Sequence, residues 1–209
     1  MANSWTPQFK RQEVVILKEE EAYFGYCQIK NFEFEIPLFA GGRSQPISRE
    51  LIYRPSAVAV ILVDPDQDKV VLIEQFRPGG LYEADSPWLL EVVAGLADPG
   101  EDIETAAKRE VKEETGCEVL SLIHICGYLT TPGISCEKIQ IYCGRIKAPV
   151  VGGNHGIVAE GEDIKVHIFK TEVAFKLLEE GKVLSSQALI ALQWLKLNQT
   201  SLRFPQEIQ

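Results

Sequence analysis

The sequence predicts an α+β fold, in which a strand-rich N-terminal part over residues 1–50 precedes a mixed sheet flanked by helices over residues 51–209. Three observations support this class. β-forming residues dominate the N-terminal part, short apolar runs bounded by turn residues follow it, and three later segments carry helical patterns. We therefore expect two parts of different architecture within one chain.

The strands are predicted from apolar runs and from the turns that separate them. In the N-terminal part we expect strands over 12–18 and 22–40, with Gly41-Gly42 as a turn. A turn over 64–68 joins the next two apolar runs into a hairpin with a buried face. The strands after residue 50 are expected at 57–63, 69–76, 88–94, 119–129, 138–146 and 163–169, with a glycine-rich loop over 150–161.

The helices are predicted from periodicity and from their end signals. The best bounded helix covers Ile103–Thr115 and ends at Gly116, the residue type that helices favour just past their last turn. Two further helices are expected over residues 172–180 and 186–197, and the second has an apolar side. Together with the strands, they complete a sheet that has helices packed against it.

Composition excludes several classes of function. The 209 residues include 30 acidic and 21 basic side chains, and the net charge of −9 argues against a protein that binds a nucleic-acid backbone. No apolar run approaches the roughly 18 residues that span a membrane, and the N-terminus has no basic start before an apolar stretch, so we expect neither an anchor nor a secretory signal. The five cysteines form no C-x-x-C pair, which fits reduced thiols in a cytoplasmic protein.

The most informative segment is residues 95–117, GLADPGEDIETAAKREVKEETGC. On a helix, Glu110 and Glu114 share a stripe with the apolar Ile103 and Ala107, so carboxylates lie on the side that faces the core. Burying carboxylates is costly unless a cation compensates, either an arginine or a metal ion. With Glu113 they have i, i+3 and i+4 spacing, and such an all-oxygen cluster suits Mg²⁺ or Mn²⁺ rather than zinc. The alternative is a solvated acidic helix face, which is the commoner arrangement for glutamates.

The same segment resembles the signature of the Nudix family, G-x5-E-x7-R-E-U-x-E-E-x-G-U, where U is an aliphatic residue. The one departure is Cys117 at the last U. This resemblance implies the Nudix fold, a mixed β-sheet in an α/β/α sandwich, and divalent-metal hydrolysis of a nucleoside diphosphate linked to another group. The signature residues in register are Gly95, Glu101, Arg109, Glu110, Val111, Glu113, Glu114 and Gly116.

The likeness extends beyond the signature, over residues 12–198. Pro132 matches the proline that marks the ADP-ribose pyrophosphatase branch of the family, and segments 91–95, 156–166 and 188–197 also look like bacterial members of that branch. This branch implies the reaction ADP-ribose + water → AMP + ribose 5-phosphate. The alternatives are the same chemistry on another nucleotide sugar, such as GDP-mannose or ADP-glucose, and a nucleotide-binding regulator without catalysis, which usually lacks one of the clustered glutamates.

The resemblance also assigns roles around the metal. It implies that Mg²⁺, which Mn²⁺ can replace, is held by Glu110, Glu114 and the backbone carbonyl of Ala94, with Glu113 as a ligand or a neighbour of the ligands. Arg109 and Glu101 would form a supporting salt bridge. In the loop over 156–163, Glu160 corresponds to the general base and Glu162 to a further metal ligand, with Gly161 allowing the loop to move. The alternative for this loop is a polar surface segment without a function.

Substrate contacts and a partner follow from the same resemblance. Arg77 is expected to bind phosphate through its fork of donors, and Tyr26 to stack on adenine, although Tyr26 could equally be a strand aromatic. The N-terminal strands exchange between two subunits in similar enzymes, so we expect a homodimer that acts on a small nucleotide sugar, with neither nucleic acid nor membrane as a partner. The other residues that match substrate contacts are Cys27, Arg49, Glu50, Arg54, Leu96, Thr131, Pro132, Gly133 and Glu137.

Overall fold

The computed structural model describes residues 5–149, 152–157 and 161–204. The chain divides into two compact units. The first unit comprises Met1–Pro55 with Leu129–Glu137, and the second comprises Ser56–Tyr128 with Lys138–Gln209. No helix in the described part of the chain is long and apolar enough to cross a membrane.

The first unit contains an antiparallel sheet of three strands in the order β1-β2-β3. They are β1 (Val15–Phe24), β2 (Gln28–Glu35) and β3 (Ile47–Tyr53), and a short 3-10 helix, Arg11–Glu13, precedes them. A tight turn closed by the bond from Gly25 N–H to the Cys27 carbonyl separates β1 from β2, so the single strand expected over 22–40 is wrong. The turn at Gly41-Gly42 is confirmed by positive φ angles of 92° and 77°.

The second unit contains an eight-stranded mixed sheet in the order β10-β11-β5-β4-β9-β8, in which β6 pairs with β5 and β7 pairs with β4. Strands β4 and β9 run parallel, whereas β4 runs antiparallel to β5 and β7. The sheet is therefore mixed, as the sequence predicts. Its strands are β4 (Ala57–Asp64), β5 (Lys69–Phe76), β6 (Trp88–Glu91), β7 (Val93–Leu96), β8 (Ser121–Leu129), β9 (Lys138–Arg145), β10 (Asn154–His155) and β11 (Ile164–Lys170).

The helices of this unit are α1 (Gly80–Glu83), α2 (Ile103–Thr115), α3 (Thr171–Glu179) and α4 (Ser186–Asn198). Helix α2 has the predicted bounds because local signals define both of its ends. The side chain of Asp102 accepts the first free N–H groups of the helix, and Gly116 ends it in the left-handed conformation with φ of 68°. Helices α3 and α4 lie within one residue of their predicted ranges, whereas the short α1 has no counterpart in the predictions.

The hydrophobic core of the second unit lies on both faces of the sheet. All eight residues of β4 are buried, and alternate residues enter two separate clusters. Ala59 and Ile61 pack with residues of α3 and α4, whereas Val58 and Val60 pack with residues of α2. This α/β/α sandwich is the predicted architecture, and it sets α2 against the centre of the sheet.

One expected strand, residues 88–94, is two strands in the structure. β6 pairs with β5 up to Glu91, and after Val92 the chain pairs with β4 as β7. An apolar run cannot reveal such a change of partner, because apolar residues continue through both halves without a turn signal between them. The change of partner brings Ala94 and Gly95 of β7 beside helix α2.

Candidate active site

Helix α2 presents apolar residues and carboxylates to the sheet on the same side. Ala106, Ala107 and Val111 are fully buried in the core cluster beneath the helix. Glu114 is only 3% exposed, and the side chain of Glu110 is also largely buried. The helix therefore carries carboxylates into the interior, which rules out the solvated acidic face for these two residues.

Arg109 connects the residues at one end of this cluster. Its Nε and Nη2 donate to the two oxygens of Glu101 at 3.1 and 3.0 Å, so the expected salt bridge forms. Nη1 donates to Glu110 at 2.8 Å and to Glu113 at 3.1 Å, and Nη2 also donates to the carbonyl of Leu96 at 3.0 Å. The bond with Glu101 raises the pKa of Arg109 and lowers the pKa of Glu101, so both stay charged near neutral pH.

Glu114 is the carboxylate with the least compensation. Its hydrogen-bond donor among the described residues is the N–H of Ala94 at 3.2 Å, and burial together with the charge of Glu110 raises the pKa of Glu114 to about 8. Burial also raises the pKa of Glu110, although Arg109 opposes that shift. The charge of Glu162 contributes to both shifts, so Glu162 lies within electrostatic range of the two helix carboxylates.

The donor set of this cluster fits a hard divalent cation. Glu110, Glu114 and Glu162 offer carboxylate oxygens, the ligands that Mg²⁺ prefers, and the raised pKa of Glu114 reflects negative charge that a cation would stabilise. Among the described residues, no three side chains of His, Cys, Asp or Glu are already gathered as a metal-holding group. Arg109 instead bonds Glu110 and Glu113.

Gly95 provides the space for the Glu110 carboxylate. A Cβ atom built at Gly95 would overlap the carboxyl group of Glu110. The absence of a side chain therefore lets the carboxylate lie directly against the backbone of β7. This requirement explains the first glycine of the 95–117 segment by packing, since Gly95 has no unusual φ angle.

The loop that precedes β11 contains two candidates for catalysis. Glu162 is half-buried, its carboxylate accepts the N–H of Ile157 at 3.1 Å, and its own N–H donates to the Ile157 carbonyl at 3.3 Å. Gly161 adopts a positive φ of 76°, which a glycine adopts without strain. Glu160, the predicted general base, lies outside the described residues.

Arg77 stands at the end of β5 and is anchored on one side. Its Nε and Nη2 both lie 2.9 Å from one oxygen of Glu91, a buried residue of β6. The charge of Arg77 opposes the burial that raises the pKa of Glu114, so the guanidinium lies within electrostatic range of Glu114. A cationic donor beside carboxylates that suit a metal is the combination that a diphosphate requires.

The first unit holds a separate group of candidate substrate contacts. Nε of Arg54 lies 3.4 Å from Glu137, and its guanidinium stacks over the ring of Tyr26 at 5.4 Å. Tyr26 is 88% exposed, so its other ring face is open to a planar ligand. The half-buried Cys27 follows it at the turn before β2.

A polar cavity of about 650 Å³ also belongs to the first unit. Arg49 and Glu50 of β3 line it together with Gly133. The turn that contains Gly133 is closed by the carbonyl of Thr131, which accepts the N–H groups of Ile134 and Ser135. Pro132 lies exposed inside this turn.

Comparison with known proteins identifies the family. The model of the NUDIX domain matches residues 53–206 of this chain. The chain belongs to the Nudix family. It is 41% identical over 198 residues to the ADP-ribose pyrophosphatase of Haemophilus influenzae, covering 93% of this chain and 91% of that protein. It is 37% identical over 195 residues to the ADP-ribose pyrophosphatase of Escherichia coli K12, covering 93% of both chains.

A solved structure supports the same fold. A chain described as an ADP compounds hydrolase superposes on this Nudix protein with a TM-score of 0.66 and 23% sequence identity. The match covers 88% of this chain and 95% of that chain. The structural match confirms the predicted α+β fold. The NUDIX domain match and the two relatives confirm membership in a hydrolase family, which is divalent-metal dependent in general.

Two residues of this Nudix site, Gln75 and Glu91, were not predicted from the sequence. Glu91 of β6 accepts hydrogen bonds from Gln75 of β5 and from Arg77, which directly follows β5. The available signal was a lone carboxylate in the apolar run WLLEVVA, because a buried charge needs a partner. The identity of that partner required the pairing of β5 with β6, which no local pattern encodes.

Proposed function

We propose that this Nudix enzyme hydrolyses ADP-ribose to AMP and ribose 5-phosphate, with Mg²⁺ as its cation and Mn²⁺ as a substitute. One observation carries the proposal: two relatives named ADP-ribose pyrophosphatase are 41% and 37% identical to the chain and align with 93% of it. Alignments this long include both units, so the likeness extends to residues outside the Nudix signature. The buried carboxylates and the anchored Arg77 are the groups that this reaction needs.

The proposed metal ligands are Glu110, Glu114, Glu162 and the backbone carbonyl of Ala94, with Glu113 beside them. When bound, the cation supplies neutralisation of the diphosphate charge and orientation of the attacking water. The chain's own contribution is to hold the carboxylates in place. Arg109 does so for Glu110 and Glu113, and the N–H of Ala94 does so for Glu114.

The reaction is a substitution at one phosphorus of the diphosphate. The oxygen of water bonds to that phosphorus, the bond from the phosphorus to the bridging oxygen breaks, and a proton of the water passes to a base. We assign the base to Glu160, the residue that corresponds to the base of similar enzymes. Arg77 is proposed to donate to a phosphate oxygen and to stabilise the negative charge that develops there.

The first unit is proposed to recognise the adenosine part of the substrate. Tyr26 offers an open ring face for adenine, and Arg54 supports the ring from the other side while Glu137 holds its guanidinium. Stacking accepts any base, so these residues account for affinity better than for the choice of adenine. The other proposed contacts are Cys27, Arg49, Glu50, Leu96, Thr131, Pro132 and Gly133.

We further propose that the enzyme is a cytoplasmic homodimer formed through its first unit. Every residue of β1 is exposed, and the strand includes the apolar Ile16, Leu17 and Phe24. Large exposed apolar residues on an edge strand are typical of a surface that another protein covers. Size-exclusion chromatography with light scattering should therefore give twice the chain mass, and a monomer at micromolar concentration would contradict this part of the proposal.

The decisive experiment is a comparison of substrates. ADP-ribose, GDP-mannose and ADP-glucose would be incubated with the enzyme in Mg²⁺ and in EDTA, and the products separated by chromatography. We expect AMP and ribose 5-phosphate from ADP-ribose at the highest kcat/KM, and no turnover in EDTA. Preference for another nucleotide sugar would contradict the substrate assignment, and turnover of none of the three would contradict the proposed activity.

The assignment of the base needs its own variant. Glu160→Gln should lower kcat by about 100-fold or more, the usual worth of a positioned base, while the Mg²⁺ dependence stays unchanged. Glu104→Gln provides a matched control, because Glu104 is an exposed glutamate of α2. A loss of Mg²⁺ affinity without a loss of kcat would show that Glu160 is a metal ligand instead.

A further inference from the structure

The buried carboxylate of Glu91 has no place in the proposed ligand set. Glu91 is the last residue of β6, directly before the point at which the chain leaves β5 for β4, and it is 8% exposed. A buried carboxylate is costly unless hydrogen bonds compensate. A single oxygen of Glu91 accepts two of them, from Nε of Arg77 at 2.9 Å and from the amide of Gln75 at 3.2 Å, and Nη2 of Arg77 forms an ion pair with the same oxygen at 2.9 Å.

This arrangement holds the guanidinium of Arg77 along one edge. Nε and Nη2 are engaged, whereas Nη1 has no hydrogen-bond partner among the described residues. The side chain of Arg77 is 41% exposed and that of Glu91 only 10%. The anchored edge therefore points into the protein, and the open edge remains accessible.

The anchor also limits where Arg77 can go. Arg77 lies within electrostatic range of Glu114, and a freely rotating guanidinium would be attracted to the carboxylates of α2. Gln75 is itself buried and donates to the same oxygen, which restrains Glu91 in turn. Two neighbouring strands thus define one orientation for an otherwise flexible side chain.

We propose that Glu91, supported by Gln75, is a positioning residue that holds Arg77 with Nη1 presented to a phosphate oxygen of the substrate. The proposal rests on the proposed diphosphate hydrolysis. Restraint of a long side chain before binding removes an entropic cost of ordering it in the complex. A purely structural ion pair would stabilise the β5–β6 pair without any link to the substrate, and the two roles predict different experiments.

The first experiment needs no substrate. In protein labelled with ¹⁵N-arginine, the Nε–H signal of Arg77 is assigned by its loss in Arg77→Lys, and its hydrogen exchange is measured. We expect exchange at least about tenfold faster in Glu91→Met, which preserves length but removes the acceptor, and an intermediate rate in Glu91→Gln, which keeps an uncharged acceptor. Equal rates in all three proteins would overturn the proposal, whatever the enzyme hydrolyses.

The second experiment is a double-mutant cycle on kcat/KM, measured with the best nucleotide sugar of the substrate comparison. Glu91→Met should lower kcat/KM by about 30-fold in the natural protein, the worth of a charge-assisted hydrogen bond, and by less than about twofold in Arg77→Ala. Equal losses in both backgrounds would overturn the proposal, because a structural role does not depend on Arg77. If Glu91→Met folds poorly, Glu91→Gln gives the same cycle with a smaller loss.

A matched control comes from the neighbouring carboxylate on β5. Glu74 pairs with His167 at 2.7 Å, and within the described ranges it forms neither a hydrogen bond nor an ion pair with Arg77. Glu74→Gln removes one charge from the same sheet, and we expect kcat/KM within about twofold of the natural value. The two proposals can fail separately. If none of the three nucleotide sugars is hydrolysed but hydrogen exchange at Arg77 Nε is faster in Glu91→Met, the proposed function is contradicted and the positioning of Arg77 by Glu91 is still supported.

Discussion

The two units of this Nudix protein hold their functional arginines in different ways. Arg109 in the second unit makes five hydrogen bonds, to three carboxylates and a backbone carbonyl, beside a helix packed on the core. Arg54 in the first unit has a long hydrogen bond of 3.4 Å to Glu137 and stacks on the ring of Tyr26, which is almost fully exposed. The comparison teaches that the groups proposed for chemistry are organised in advance, whereas those proposed for recognition stay open until a ligand or a partner covers them.

The largest effect on activity is expected at Glu114, the buried carboxylate of the second unit. Glu114→Gln removes a proposed metal ligand, and we expect kcat to fall by about 1000-fold or more, because the developing charge loses its stabilisation. In EDTA, the thermal midpoint should not decrease, because the variant removes a carboxyl group whose charged form burial disfavours. Steady-state kinetics and calorimetry check both parts, with Glu104→Gln as the exposed control, and near-normal kcat would contradict the metal assignment.

A smaller effect on activity is expected at Gly95, where the backbone of β7 leaves room for the carboxylate of Glu110. Gly95→Ala should displace the Glu110 carboxylate and lower kcat/KM by roughly 10- to 100-fold, with a higher Mg²⁺ requirement. The free energy of unfolding should change by less than about 1 kcal/mol, because only the end of a flexible side chain must move. Gly79→Ala serves as the control, since a methyl group there meets open space. Equal activities of the two variants would contradict the packing role of Gly95.

Substitutions in the first unit should change the affinity for the substrate rather than the rate of hydrolysis. Tyr26→Ala is expected to raise KM by about tenfold with kcat nearly unchanged, since stacking of a base on an aromatic ring is worth roughly 1–3 kcal/mol. Phe39→Ala is a suitable control, because Phe39 is an equally exposed aromatic of the same unit that packs on Phe9 instead. A fall in kcat without a change in KM would contradict the proposed role of Tyr26 in binding the substrate.

The smallest effect concerns stability in the absence of metal. The pKa of Glu114 is about 8 in the folded protein against 4.5 as its ordinary value, so the folded state binds more protons than the unfolded state between these limits. Stability is therefore lost as the pH rises through this window. In EDTA, we expect the stability advantage of Glu114→Gln over the natural protein to grow by about 1 kcal/mol from pH 6 to pH 7. Urea titrations at both pH values measure it, and an advantage that shrinks would contradict the shift.

Elements with local end signals were predictable, and elements that depend on a partner were not. Helix α2 has a capping Asp102 and a terminal Gly116, so its bounds follow from the residues alone. Strand β3 was missed because its centre is the polar Ser48-Arg49-Glu50, and only pairing with β2 makes it a strand. The break between β6 and β7 has the same origin, since two different neighbours divide one apolar run.

The residues of the candidate site also divide into those that local sequence predicts and those that depend on distant partners. The spacing of Glu110, Glu113 and Glu114 and the resemblance to the Nudix signature follow from a contiguous segment, and the helix places two of these carboxylates inward as expected. The anchor of Arg77 could not be predicted, because Gln75 and Glu91 lie sixteen residues apart and meet only across two paired strands. The approach of Glu110 to Gly95 likewise depends on how α2 packs against β7.

By itself, the sequence determined the α+β class, the bounds of α2 and the carboxylates that helix carries, because these depend on spacing and on end signals within a few residues. The tertiary structure decided which buried charges are compensated. Arg109 supports Glu110, Glu91 holds Arg77, and the hydrogen-bond donor of Glu114 within the described part of the chain is the N–H of Ala94. The free energy of a buried charge depends on the groups around it, and those groups come from distant parts of the chain.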